Sequence, residues 1–568
     1  MDEVTAAPHG RPDTTAAAAR RWTAAALLVL TLAALLAWAA GRSRPVALAD
    51  AGRALVPCVS YAPFRRDGDS PFDSRLHVPA AQIEADLRLL ATVTRCVRTY
   101  GLDHGIDAVP EIARRLGLRV VLGAWLGRDP QANAAQVERA LELARTHADV
   151  IDLLVIGNEV LLRREMAPEA LAEVLGRVRR ESEVPVGYAD VWEFWLRHAP
   201  ALRAHVDVVV AHILPYWEDE PVGIDGAVAH VHDIAAQLAR AFAPTPVFIG
   251  ETGWPAAGRQ RGPAAPGVVE QTRFMRELLA SLTAQPLRLN LIEGFDQPWK
   301  RALEGAMGGA WGLFDAQGRA RVTLRGAVVA DPRAWQVLAA AALGAVAGLA
   351  AALARRRRAT DAAAWSAVLL VAGGAFVAAL GAVQWRALES WSRNGLEWTL
   401  GGLTALLAFA CSSTALARLA GETAAPRAGA VEAARDGQPP AARALAWAQI
   451  GLLFAVATGA LGLVFDARYR PLDWWTAAGP AVLLAALALR GDRLRADARE
   501  ERVLAAVIAA CAPLIACNEG LANGEAMLTE ALLAVLAATV LLPHRGAPAG
   551  RASTSAASST AGAASGVE

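Results

Sequence analysis

Two short runs carry a glutamate at the point where an apolar segment ends: VIGNEV, with Glu159, and FIGETGWP, with Glu251. Both runs have β-branched residues followed by glycine, the composition of a strand that stops at a tight turn. Two carboxyls facing one another support glycosidic cleavage, one giving a proton to the leaving oxygen while the other attacks or supports an oxocarbenium-like carbon. Burial or a negative neighbour would keep the acid protonated near neutral pH. Further polar and aromatic residues sit at comparable places. Tyr100 closes RCVRTY, and His212, Tyr216 and Trp217 lie in HILPYWED, where they could supply hydrogen bonds and stacking to a sugar. Trp254 reads equally as a sugar platform or as packing beside the strand that bears Glu251.

The elements that must position these residues follow from periodicity. Eight short β-rich runs occur at 55–61, 95–100, 118–124, 152–157, 184–189, 206–213, 246–250 and 289–295. Between them lie stretches such as AAQIEADLRLLATV and NAAQVERALELARTH, whose apolar residues recur at three and four. Repeated βα units over 45–332 predict an α/β domain, a (β/α)8 TIM barrel, because such a barrel takes about 250 residues, roughly 31 per unit. Glu159 and Glu251 are 92 positions apart, close to three units, which puts them on strands four and seven at one C-terminal mouth. A doubly wound sheet is disfavoured because no G-x-G-x-x-G follows the first strand.

The set IGNEV, GETGWP and FDQPWK, with WGLFD downstream, resembles glycoside hydrolase family 17, the β-1,3-glucanase family of the clan A barrels, over most of residues 55–325. The resemblance implies that Glu159 is the acid/base and Glu251 the nucleophile of a retaining reaction. Retention calls for carboxyls about 5–5.5 Å apart, inversion for about 6.5–9.5 Å. It also implies that Asn158 bonds the sugar 2-hydroxyl, and that Glu293, Lys300 and Glu304 of EGFDQPWKRALE bind substrate and bias the central charges. Asp296 and Trp299 of the same run are further candidate sugar contacts, although a strand-end Asp is often a cap and a Trp often core. Where plant relatives have N-x-Y-P-Y, this chain has His212 and Leu214, so plant subsite preferences do not carry over.

No metal or organic cofactor is implied. His104, His147 and His205 are scattered, His230 and His232 stand two apart on a helix-like stretch and do not face each other, and H-E-x-x-H is absent. A net charge of +1 gives no attraction for polyanions, so nucleic acid is not an expected partner. Cys58 and Cys96, the two cysteines of the polar half, lack metal-site spacing and are expected to be buried free thiols rather than a bridge.

The rest of the 568-residue chain is built of Ala/Leu/Val/Gly runs separated by arginine clusters, and 54% of all residues are apolar, a composition that predicts a partner in the lipid bilayer. A signal anchor is expected at 22–40, uncleaved because its apolar run exceeds a signal-peptide core despite the ALA at 47–49. An all-α membrane domain of about seven transmembrane helices is expected at 336–543, with spans near 336–354, 364–384, 398–418, 446–464, 474–490, 503–517 and 526–543. Strict alternation then leaves residues 1–21, RRRR at 355–358, the 419–445 linker, the arginine-rich 490–502 loop and a disordered 544–568 tail in the cytoplasm, in agreement with the positive-inside rule. The same alternation places the barrel in the extracytoplasmic or periplasmic space, on a multi-pass protein of the plasma (inner) membrane. Asn518, Glu519, Glu525 and Glu530 fall near the outer interface, where acidic groups need no polar path to explain them.

Three activities fit. The first is hydrolysis of β-1,3-glucan in cell-envelope processing. The second is a β-glucan transglycosylase or branching enzyme of the β-(1,6)-glucan synthase type, using the same glutamates. The third is a sugar-binding sensor or transporter without chemistry, disfavoured because a binder needs no matched acid and nucleophile. A glucan synthase or export partner is left unidentified.

Overall fold

The computed structural model describes residues 14–356, 364–421, 427–435, 439–495 and 497–542. The expected 544–568 tail, the first thirteen residues and the second half of the RRRR run lie outside them. A helix α1 (Thr14–Arg42) leads to a strand β1 (Pro45–Val46), which pairs antiparallel with β10 (Val328–Val329). Between the two runs a closed parallel barrel: β2 (Val59–Ser60), β3 (Cys96–Arg98), β4 (Arg119–Ala124), β5 (Ile151–Asn158), β6 (Val186–Val191), β7 (Val208–His212), β8 (Val247–Thr252) and β9 (Leu289–Leu291). All eight expected strands are present, in sequence order around the ring.

Alternation along these strands divides the apolar residues between two cores. Val121, Leu153, Val155, Ala189, Val208, Val210 and Phe248 fill the barrel interior. The opposite faces pack beneath the surrounding helices α2 (Ala80–Leu90), α3 (Val109–Leu116), α4 (Pro130–Thr146), α5 (Pro168–Glu181), α6 (Trp192–Leu202), α7 (Ile224–Phe242) and α8 (Val268–Ser281). The helix α4 shows how local sequence sets an element. Asp129 caps it by accepting from the Gln131 and Ala132 N–H groups, Pro130 opens the first turn, and Val137, Ala140, Leu141 and Ala144 form the buried stripe.

Cys58 and Cys96 are disulfide-bonded, which corrects the expectation of free thiols. Cys58 precedes β2 and Cys96 opens the adjacent β3, so both side chains enter the same interior layer with Cα atoms 4.4 Å apart. Neighbouring strands in a closed ring produced this proximity, which residue spacing alone does not reveal.

A helix covers each of the eight apolar segments of the remaining chain over its described residues, the last of them to Leu541. A short α9 (Arg301–Glu304) still belongs to the barrel, and α10 (Trp335–Arg356), α11 (Ala364–Trp391) and α12 (Gly395–Leu419) follow. After a short α13 (Ala430–Arg435) come α14 (Pro440–Phe465), α15 (Trp474–Arg490), α16 (Arg499–Glu519) and α17 (Gly524–Leu541). Among the described residues six helices, α1, α10, α11, α12, α14 and α17, are long and apolar enough to cross a membrane; α15 has 17 residues, and α16 starts with the charged run Arg499, Glu500, Glu501. The helices α10 and α11 meet at glycines, since a Cβ on Gly344 would lie 2.1 Å from the Gly374 carbonyl oxygen.

The disulfide predicts a simple count. In denaturant without reductant, iodoacetamide should label Cys411, Cys511 and Cys517 but not the other two of the five cysteines, and reduction should expose all five to mass spectrometry. Modification of Cys58 before reduction would contradict the bridge. Replacing both partners by Ser should lower barrel stability by roughly 2–4 kcal/mol in a denaturation titration.

Candidate active site

Two irregularities aim the glutamates. Against β6, the strand β5 carries one extra residue between Val155 and Asn158, so Asn158 rather than Gly157 pairs with Ala189. Against both neighbours, β8 gains one residue between Ile249 and Glu251, so that Glu251 pairs with His212. A bulge of this kind turns the following side chain to the other face, here into the mouth. Gly157 has φ +86°, and a Cβ there would come within 2.8 Å of Val160 Cγ2. Glu159 itself has φ +52°, a left-handed backbone that costs a non-glycine residue about 1–2 kcal/mol. Its amide donates to the Ala189 carbonyl at 2.7 Å and its carbonyl accepts from Arg163 at 2.8 Å, which hold that conformation.

His212 bridges the pair, with Nδ1 2.9 Å from Glu159 Oε1 and Nε2 3.6 Å from Glu251 Oε1. Donor atoms of Glu159, His212 and Glu251 all lie within 4.8 Å of one another, so an oxygen of each glutamate falls inside that distance. Beneath them Arg98 donates to Glu251 at 3.1 Å, to the Gly250 carbonyl at 2.7 Å and to Asn158 Oδ1 at 2.7 Å. Asn290 donates to Ser60 Oγ at 2.7 Å, and Ser60 shares a 2.8 Å hydrogen bond with the Tyr100 hydroxyl. The same three donor groups could hold a cation, but the fixed Arg98 guanidinium opposes a second positive charge on Glu251.

The electrostatics set Glu251 apart from Glu293, Glu304 and Asp190. Burial alone would push Glu251 up, but His212 and Arg98, the Tyr100 hydroxyl and Lys300 together hold it below the ordinary glutamate value. Glu293 shows the opposite outcome: burial pushes it up to about 7 even though Lys300 Nζ donates to both its oxygens at 2.9 and 3.1 Å. Glu304 is likewise raised by burial, with Lys300 opposing and the charges of Glu159 and Glu251 adding to the rise. Asp190, bonded by the Tyr188 hydroxyl, is raised to about 6, first by burial.

Asn158, Glu159, Tyr100, His212, Glu251, Glu293, Lys300 and Glu304 are therefore joined by these bonds and fields into one mouth. Trp299 is half-buried, its indole N–H on Gln297 Oε1 and its ring edge-on to the exposed Phe72 at 5.7 Å. Trp217 is also half-buried. Three expected sugar contacts lie in the core instead. Trp254 is fully buried between Tyr216 and Phe274 and donates to the Ala265 carbonyl, so it is packing and not a platform. Tyr216 is fully buried with its hydroxyl on the Arg259 carbonyl at 2.7 Å. Asp296 accepts from the Gly312 N–H at 3.0 Å and from Arg321 at 2.6 Å, which spends its carboxylate on the fold.

Arg98 is the principal residue that sequence reasoning passed over. A signal was available: in RCVRTY it stands two positions before Tyr100, which on a strand puts both on one face, and a charge there must find buried partners. Trp125, directly after β4 and 38% exposed with Arg163 over its ring at 4.1 Å, is a second rim aromatic that was missed.

Residues 58–312 match the BtgE/BtgC glycoside hydrolase domain family. A glucan 1,3-beta-glucosidase of Schizosaccharomyces pombe is 26% identical over 234 residues, covering 38% of this chain and 72% of the relative. A second, from Arthroderma benhamiae, is 27% identical over 256 residues, covering 42% of this chain and 82% of that protein. Among solved structures, a family 17 beta-1,3-glucanosyltransferase from Rhizomucor miehei aligns with 22% identity and a TM-score of 0.42, covering 47% of this chain and 97% of its own. The family match and the glucosidase relatives both fall on the closed barrel that bears both glutamates, so residues 58–312 are similar to a glycoside hydrolase domain of the glucan 1,3-beta-glucosidase type.

Proposed function

We propose that the barrel cleaves β-1,3-glucan with retention of configuration, Glu251 acting as nucleophile and Glu159 as acid/base. The observation that carries this reading is the approach of the two carboxyls to within 4.8 Å, on the retaining side of the two spacings. Glu251 is held ionised by cationic neighbours, as an attacking carboxylate must be. Its oxygen bonds to the anomeric carbon as the glycosidic C–O bond breaks and Glu159 protonates the departing oxygen. In the second half, Glu159 takes a proton from the incoming hydroxyl as that oxygen displaces Glu251. Water gives hydrolysis, and a sugar hydroxyl gives transfer. Asn158, oriented by Arg98, is placed to bond the reacting sugar's 2-hydroxyl, and Trp125, Trp217 and Trp299 offer half-open ring faces at the rim.

We further propose that the protein resides in the plasma (inner) membrane with the barrel outside the cytoplasm, where envelope glucan is processed. The apolar helices and the arginine-bearing loops support this orientation.

The full-length protein incubated with laminari-oligosaccharides should produce shorter products, or longer ones if sugar acceptors outcompete water; an unchanged mixture would refute the reading. Glu251→Gln should abolish turnover, whereas Glu159→Gln should retain the first step on aryl glycosides with good leaving groups. Wild-type rates in either variant would exclude these roles. Lys300→Met removes a cation that lowers Glu251, so the nucleophile should ionise at higher pH and the acid limb of the kcat/KM profile should move upward. A limb that stays in place would show that Lys300 does not act through Glu251.

A further inference from the structure

The barrel mouth does not open onto free solvent on every side. Two loops of the helical half press on it: residues 466–473, between α14 and α15, and residues 520–523, between α16 and α17. The attachment is specific. Arg259, 2% exposed, pairs with Glu519 and donates to the Ala467 carbonyl. The Gln260 backbone N–H donates to Glu525 at 2.8 Å, and Asn523 donates to the Gln260 carbonyl at 3.0 Å. Buried charges that are paired in this way fix one relative position, because separating them would leave Arg259 uncompensated.

The loop 466–473 reaches the catalytic groups' own neighbours. The Tyr469 carbonyl lies where a Cβ on Gly305 would come within 2.8 Å, and Gly305 follows Glu304, whose carboxyl feels the charges of Glu159 and Glu251. On the other flank the Tyr469 ring stands 6.0 Å from that of Trp217, five residues beyond His212, and Arg468 lies 5.1 Å from the same indole. Tyr469 is half-buried and among the described residues its hydroxyl has no hydrogen-bond partner, while Arg468 is 47% exposed with Asp219 at 3.7 Å. An aromatic ring with a hydroxyl and a half-exposed guanidinium beside it is the chemistry that recognises a pyranose: the ring takes the C–H face and the donors take the hydroxyls.

We propose that the loop 466–473 of the membrane half is a wall of the glucan cleft, and that Tyr469 and Arg468 bind sugar units beyond those held by the barrel itself. The inference rests on the β-glucan reading above. It makes the helical half a specificity element for chain length as well as an anchor.

The test uses the full-length protein in detergent micelles and a ladder of laminari-oligosaccharides, with an aryl β-glucoside as the shortest substrate. Tyr469→Ala should reduce kcat/KM on the longest members about 5- to 10-fold through KM and leave the aryl glucoside unchanged, while Tyr469→Phe keeps most of the wild-type preference. Arg468→Ala, at an exposed position that cannot unfold the barrel, should shift the same preference in the same direction. Equal loss at every length, or no change in either alanine variant, would overturn the proposal. Failure of the wild-type protein to act on any β-glucan would instead defeat the reading on which it rests.

Discussion

A guanidinium that is 1% exposed, set against a carboxylate that is 7% exposed, organises the whole mouth. Taking both ions out of water costs several kcal/mol each, and the cost is offset only when every charge is bonded in good geometry. Arg98 offsets most of that cost by spanning β3, β5 and β8 at once, its two terminal nitrogens bonding Asn158, the Gly250 carbonyl and Glu251 and the Tyr100 ring lying 4.7 Å from its carbon, while its Nε is left without a partner among the described residues. Its bonds orient the Asn158 amide beside Glu159 and the Glu251 carboxylate together. The same ion pair that ties these strands together therefore sets the angle of the groups at the mouth.

The bulges in β5 and β8 are the backbone counterpart of that ion pair. A regular strand would present Gly157 and Thr252 to the interior, and neither carries a carboxylate. One added residue in each strand brings Asn158 and Glu251 inward and lifts Glu159 onto the following turn, at the expense of a left-handed backbone there. Rigid sheet on either side of each bulge keeps the distortion local, so two glutamates from strands far apart in the chain meet across His212.

What was legible in the sequence was what depends on short-range pattern. The eight strands follow from runs of β-branched residues at regular spacing, and Glu159 and Glu251 follow from the turns that end two of them. The eight apolar segments follow from composition. Hidden from such reading was whatever depends on which residues become neighbours in space. Cys58 and Cys96 pair because β2 and β3 are adjacent; Trp254 and Tyr216 are core because loops fold over them. Glu519 and Glu525 looked like ordinary interface acids, and their role became visible only against Arg259 and Gln260, more than 250 positions away. Arg98 lay between these extremes, since its strand face was predictable and its partners were not.

The ribbon of β1 and β10 joins the catalytic ring to helices on both sides, α1 before it and α10 after it. A protease cutting at Ala47–Leu48–Ala49 would sever the first connection and still leave the ring tethered through the second. Separating the ring from the helices thus requires two scissions, one on each side of it. Loss of α1 by itself leaves the ring joined to α10 and the helices that follow.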